Sequence, residues 1–385
     1  MMDSKTKVTL ALILLSSTFT VMAGAIIGPV VNLIRESFGV SQSMAGLIVT
    51  THGLFIAGLS PVWGLIIDKV GSKKPYVFGL ILYGAAGGTG LFINSYWLLI
   101  VSRAIFGIAV AAVYTSITVM ILNLYSRKER NKVMGWRGSS NSLSAAVWPL
   151  IGGSLGVFSW HLPFGIYLLA LPLGFLAFFF VPSVNSYDRG FGGGKVSIWS
   201  VFSDKPVLFA VYGFMFLTNF FLYTNVVYIP RLLETFEVAN PFYISLFLAA
   251  MGVSGGIMAA FYYKVKSCFE YRKIVLISLL FWTAAFTLAK FASNVFFVGL
   301  SVILYGIGQG LALPTAMVWV GDVVSSRFYG RVGSYLGTFG YLGQFSAPII
   351  FASALLFVKI EDIFLTSAIL SSILLIVGFI KVRIS

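Results

Sequence analysis

Charge, sulfur and imidazole are all scarce in this 385-residue chain. Charged residues make up 10% of it, against roughly 25% in an ordinary soluble domain. So little polar area cannot face water on every side, which excludes a soluble fold. The single cysteine, Cys268, excludes an intrachain disulfide and a cysteine-based metal cluster. Two histidines, His52 and His161, are too few for a histidine-rich metal site. A phosphate-cradling loop and a Gly-rich dinucleotide turn are both missing, so ATP-driven transport has no support in the sequence. No metal and no cofactor is expected.

What the chain has instead is apolar length. Its apolar fraction is 58% and its mean hydropathy +0.95, and its 40 glycines suit helices that pack closely in lipid. A helix needs about 20 apolar residues to cross a bilayer. Runs of that kind fall at 8–33, 43–67, 76–94, 97–123, 133–157, 163–181, 206–229, 241–262, 274–291, 294–320, 333–357 and 363–380. They are continuous rather than alternating, which excludes a transmembrane β-barrel. The first contains the small triplet Ala23, Gly24, Ala25 but is longer than a signal-peptide core and stands among eleven similar runs, so it reads as a span.

The net charge of +14 follows from topology. Of the 26 Lys and Arg residues, 21 fall on the side shared by both termini, Arg137 among them. Only Arg35, Arg231, Lys290 and Lys359 fall on the other side, and Arg103 lies inside a span. The positive-inside rule then places both termini in the cytoplasm, and no nucleic-acid partner is needed to explain the basic excess.

The chain divides into residues 1–181 and 206–385, six spans each, joined by a Gly-containing cytoplasmic linker at 182–205. The halves match at an offset of 199: Gly107 with Gly306, Ala111 with Gly310, Gly138 with Gly337, Pro149 with Pro348, and Lys73-Lys74 with Arg272-Lys273. Parallel repeats of this kind place a binding site between the halves near the bilayer midplane.

After the second span come Gly64, Asp68, Lys69, Gly71, Lys73 and Lys74. The pattern resembles the G-x-x-x-D-R/K-x-G-x-K/R-K/R signature of the major facilitator superfamily, in the loop where that family carries it. The resemblance implies a fold of two pseudo-symmetric six-helix bundles in the plasma (inner) membrane of a prokaryote, functional as a monomer. It also implies that Asp68 docks near Arg331 to Gly333 and locks one state of the transport cycle. Span four carries Arg103, Gly107 and Ala111 at four-residue spacing, similar to the family's buried-arginine motif. That resemblance gives Arg103 a part in proton coupling or substrate attraction; a satisfied structural arginine is the bland alternative. Span five matches the motif of the drug:proton antiporter branch at Gly135, Pro149 and Gly152, with Ser144 and Trp148 replacing two glycines. In that branch the motif serves as the bend and seal between the halves.

Two departures weigh against a broad cation exporter. The second copy of the loop motif has Ser267 where the aspartate would stand. All twelve acidic residues lie in loops or at span ends, with Asp322 the nearest to a span interior. Without a buried carboxylate, neutral, lipophilic or anionic solutes are favoured, and His52 becomes the alternative proton carrier.

Polar residues in spans turn toward a cavity or toward other helices. The cavity candidates are Tyr114, Asn141, Tyr212, Asn219, Tyr223, Tyr305, Gln309, Thr338, Tyr341 and Gln344. Helix-to-helix hydrogen bonding is the competing reading for each.

The expectation is therefore an all-α polytopic membrane protein of twelve transmembrane helices, embedded in membrane lipids. It is not an enzyme; it moves a small-molecule substrate, as an exporter coupled to protons. Uptake of a small organic anion with Arg103 as counter-charge is the alternative. A non-transporting sensor or lipid-handling protein is the alternative of another class. Replacing Asp68 by Asn is expected to slow turnover more than it weakens substrate binding. Measured transport rates equal to wild type would remove the gating role.

Overall fold

A computed structural model of the chain describes residues 4–125, 127–183, 205–323, 329–355 and 357–384. Nearly all of the expected linker, 182–205, lies outside them. Among the described residues there are helices and turns but no strand. Twelve helices carry the architecture: α1 Ser4–Ala25, α2 Gln42–Val70, α3 Lys73–Gly88, α4 Tyr96–Leu124, α5 Arg127–Gly156, α6 Ala170–Phe180, α7 Val207–Glu234, α8 Pro241–Ala260, α9 Tyr271–Lys290, α10 Val295–Val323, α11 Tyr329–Ala354 and α12 Ile360–Ile384.

Nine segments of the described residues are long and apolar enough to cross a membrane on those grounds alone. The other three have local reasons for falling short. Helix α3 has 16 residues and continues into a 3-10 turn, Thr89–Leu91, while α5 and α11 begin with polar stretches. Helix α5 starts six residues before the expected boundary, because the basic run at its head is made of residues with good helix propensity. The first and sixth runs are interrupted rather than continuous. Pro29 sits in a 3-10 turn, Gly28–Val30, between α1 and the short helix Val31–Phe38, since a proline removes a backbone donor and clashes with the preceding turn. Likewise, Leu162–Gly165 and the 3-10 segment Ile166–Leu169 precede α6.

The 199-residue offset recurs in the helix ends. Ser41 caps α2 by accepting from the Met44 amide at 3.2 Å, and Asn240, 199 residues on, caps α8 by accepting from Phe242 at 2.9 Å. It recurs in close helix crossings too. A Cβ on Gly107 of α4 would lie 2.6 Å from the His52 carbonyl oxygen and 2.7 Å from Phe55 Cβ on α2. A Cβ on Gly306 of α10 would lie 2.4 Å from the Met251 carbonyl oxygen and 2.0 Å from Ser254 Oγ on α8. His52 and Met251 are 199 apart, as are Phe55 and Ser254.

The same relation governs contacts that join the first six helices to the last six. Gly53 of α2 crosses α11 at Gln344, and its counterpart Gly252 of α8 crosses α5 at Ala145, the counterpart of Gln344. Gly24 of α1 meets Tyr223 of α7, 199 residues on. On the face bearing the 39–41 and 235–240 turns, Arg35 forks onto Glu234 at 3.1 and 3.3 Å. That pair also spans 199 residues, so it sits on the axis of the repeat. Arg231 contacts the same carboxylate. Nearby, Gln42 donates to the Val227 carbonyl at 2.7 Å, and Ser43 and Tyr228 share a hydroxyl–hydroxyl bond of 3.0 Å.

These crossings set a stability test. Gly107→Val and Gly306→Val are each expected to cost about 1–3 kcal/mol by overpacking. Gly58→Val is expected to cost far less, because nothing lies within 4 Å of its added Cβ. Thermal melting of the purified protein in detergent checks the order.

Candidate functional site

The resemblance motifs come first. Gly71 follows α2 with φ at +79°, a left-handed conformation that glycine adopts without strain. Gly64 has no close neighbour for an added Cβ, so packing does not require glycine there in this structure. Lys69 and Lys74 are exposed, and Lys73 lies 5.7 Å from the centre of the Phe178 ring. Asp68 and its expected partners, Arg331 to Gly333, lie outside the residues whose side chains are described.

Arg103 is fully buried, but inside the first six helices rather than at the junction of the halves. Its Nη2 donates to the carbonyls of Gly87 at 3.0 Å and Ala86 at 3.3 Å. Those carbonyls belong to the last turn of α3, where helix carbonyls lack intrahelical partners and the dipole end is negative. The rings of Phe106, Phe164 and Tyr167 close around the guanidinium at 4.6, 4.9 and 5.2 Å, which stabilises a desolvated cation further. The arginine therefore caps α3 and pins it to α4 and the segment before α6.

Along the bend motif, Pro149 lies in the α5 interior. Gly152 lets α5 touch α1, where an added Cβ would fall 1.9 Å from the Ile26 carbonyl oxygen. The neighbouring Gly153 makes the crossing to the other half, against Ser245 and Pro241 of α8. Trp148, standing where the motif has glycine, donates its indole N–H to the Thr18 carbonyl at 3.2 Å. Gly135 lies on α5 but outside the residues whose side chains are described.

The cavity candidates separate into two groups. One gathers where α2 and α4 meet α11. His52 Nε2 lies 3.1 Å from the Gln344 amide nitrogen. Thr338 donates to the Ala57 carbonyl at 3.3 Å, and Tyr114 and Tyr341 meet edge to face at 6.2 Å. Asn141 on α5 is half-buried, and its Oδ1 has no partner. The other group works within the last six helices or as packing. Tyr305 donates to Gln309 at 3.0 Å and reaches the Thr218 carbonyl at 3.4 Å. Asn219 bonds the Met215 carbonyl one turn away at 3.2 Å. Tyr212 stacks on Phe339 at 5.2 Å, and Tyr223 fills the space over Gly24.

Arg137 corrects the charge map. Counted by sequence among the basic residues of the terminal side, it is only 8% exposed. Its Nη1 donates to Thr118 at 3.0 Å, and its guanidinium lies 5.2 Å from the centre of the Tyr114 ring. The sequence reading missed it because it follows the basic run 127–132 within a few residues. The available signal was helical spacing: Arg137 and Asn141 stand four apart on one face of α5.

The two buried arginines have apolar counterparts at the 199 offset, Val302 and Leu336. These two buried charges are thus additions to one half of a symmetric frame.

The profile of the Major Facilitator Superfamily matches residues 13–266. The chain belongs to this family. Among relatives, the Quinolone resistance protein NorA of Staphylococcus aureus (strain COL) is 26% identical over 351 residues, covering 86% of each chain. The Hexuronate transporter of Bacillus subtilis (strain 168) is 25% identical over 335 residues, covering 79% of this chain and 77% of its own. The solved structure of the nucleoside transporter NupG superimposes with a TM-score of 0.79 at 14% identity, over 97% of this chain and 99% of that one. The protein is accordingly an integral membrane transporter with the family's twelve-helix fold, and not an enzyme.

Arg103→Ala is expected to lower stability by about 2–5 kcal/mol, since it empties a buried site and strips the end of α3 of its donor. Arg103→Lys should recover part of this. Melting temperatures of the two variants test the capping role.

Proposed function

We propose that this transporter exports small organic solutes by alternating access and that a proton gradient drives it. In this reading, residues 1–181 and 206–385 rock as two bundles about their junction, linked through 182–205, with both termini in the cytoplasm and one chain as the working unit. The observation that carries it is the His52–Gln344 bridge at 3.1 Å, a buried polar contact between the two halves at mid-helix depth. A histidine in such a contact can exchange its hydrogen-bond partner for a proton, which makes His52 the coupling group in a chain with no carboxylate deep in a described span. The direction is supported by likeness to a protein named for quinolone resistance.

Uptake of a small organic anion is a second reading, favoured by likeness to a hexuronate transporter and by buried arginines without a buried carboxylate among the described side chains. Both readings are tested in proteoliposomes with an imposed pH gradient, using norfloxacin and glucuronate as probes. Norfloxacin movement opposite to the proton flow, abolished when an ionophore collapses the gradient, is the expected result. Movement indifferent to the gradient overturns proton coupling. Glucuronate moving with the protons while norfloxacin stays put reverses the direction.

A further inference from the structure

The geometry points to Arg137 as the binding group for a carboxylate, or a like anionic group, on the transported solute. This rests on the transporter reading above but on neither direction of transport.

Three observations converge on α5. First, the residue is more than nine-tenths buried, and among the described residues its contacts are the Thr118 hydroxyl at 3.0 Å and the Tyr114 ring face at 5.2 Å. None of the described ion pairs includes it. A buried, unpaired arginine is costly in a membrane protein unless an anion or a set of carbonyls answers it. Arg103, whose Nε and Nη1 also lack partners, still meets two carbonyls and three rings; among the described residues Arg137 meets one hydroxyl and one ring.

Second, space and further polar groups lie beside it. A Cβ on Gly138 would meet nothing within 4 Å. One turn along the same face, Asn141 holds a buried side-chain atom without a partner. The guanidinium fork can bind both oxygens of a carboxylate, while the unpartnered Asn141 oxygen, an acceptor, takes a donor group on the same solute.

Third, the group stands where the halves meet. Tyr114, under the guanidinium, touches Tyr341 of α11, and an added Cβ on Gly337 of α11 would lie 3.9 Å from the Tyr114 hydroxyl. An anion held by Arg137 therefore lies next to the helix that moves relative to α5 when the halves rock. The counterpart of Arg137 is Leu336, so the second half offers no matching cation, and a single anionic group suffices.

The test compares an acid with a twin whose carboxylate is neutralised or absent. Binding of norfloxacin and norfloxacin methyl ester, and of glucuronate and glucose, is measured by calorimetry on the purified full-length protein in detergent. Wild type, Arg137→Gln and Arg137→Lys are compared, each checked for folding by its melting curve. At least one acid is expected to bind tenfold or more tighter than its twin to wild type. That preference should fall to near unity in Arg137→Gln and partly return in Arg137→Lys. Equal affinity of acid and twin in wild type, absence of binding by either acid, or an undiminished preference in Arg137→Gln overturns the assignment. Should Arg137→Gln not fold, Arg137→Lys decides: a reduced acid preference supports the assignment, and an undiminished one overturns it. Acid preference without any flux in proteoliposomes would sink the transporter reading and leave the binding assignment standing.

Discussion

Helices in lipid attract one another only as far as their surfaces can come close, because lipid tails are as apolar as the side chains they would replace. The architecture of this chain depends on that constraint. Gly107 and Gly306 stand at equivalent close crossings, each against a backbone carbonyl of the helix beside it. Gly53 and Gly252 do the same between the two sets of six helices. A side chain at any of these positions would hold the helices apart and loosen every contact further along them. Four glycines in one register thus position α2, α4, α8 and α10, and with them the surfaces of α5 and α11 that face the junction.

A second constraint acts on that frame. Water is absent from the hydrocarbon interior, so each polar group must be answered by protein. Arg103 is answered through its Nη2 by the end of α3 and by an aromatic cage, which makes it a clamp on the first six helices, while its Nε and Nη1 lack partners. The aromatic hydroxyls follow the same rule: Tyr83 donates to the Phe19 carbonyl at 2.6 Å and Tyr167 to the Ala23 carbonyl at 2.9 Å, both on α1. The answer is incomplete at the Asn141 Oδ1, which has no partner, and at Arg137, which joins none of the described ion pairs. The frame is symmetric and its chemistry is not, since Val302 and Leu336 occupy the matching places.

The junction unites these features. The Arg35–Glu234 fork, on the repeat axis, ties the halves at one face, and the His52–Gln344 bridge joins them at mid-depth. An alternating-access cycle requires such contacts to break and re-form in turn, and both are polar bonds between elements that are otherwise apolar. Likeness to a quinolone resistance protein and to a hexuronate transporter fits a site of this mixed character, with a cation, hydroxyls and aromatic faces together.

Much of this was legible in the residue order. Apolar transfer energy adds along a helix, so the twelve spans, their caps at Ser41 and Asn240, and the 199-residue repeat are local or periodic properties. Gly71 could be read as a turn residue because its left-handed φ is imposed within the motif itself. Which way a side chain points is another matter, and only the tertiary structure decided it. Arg103 and Arg137 are both arginines on apolar helices, yet one is consumed as a cap by carbonyls 16 and 17 residues away. The other, counted by sequence with the loop charges, turns inward beside α4. The rotation of each helix about its axis is set by contacts with neighbours far along the chain, and no run of consecutive residues encodes that rotation.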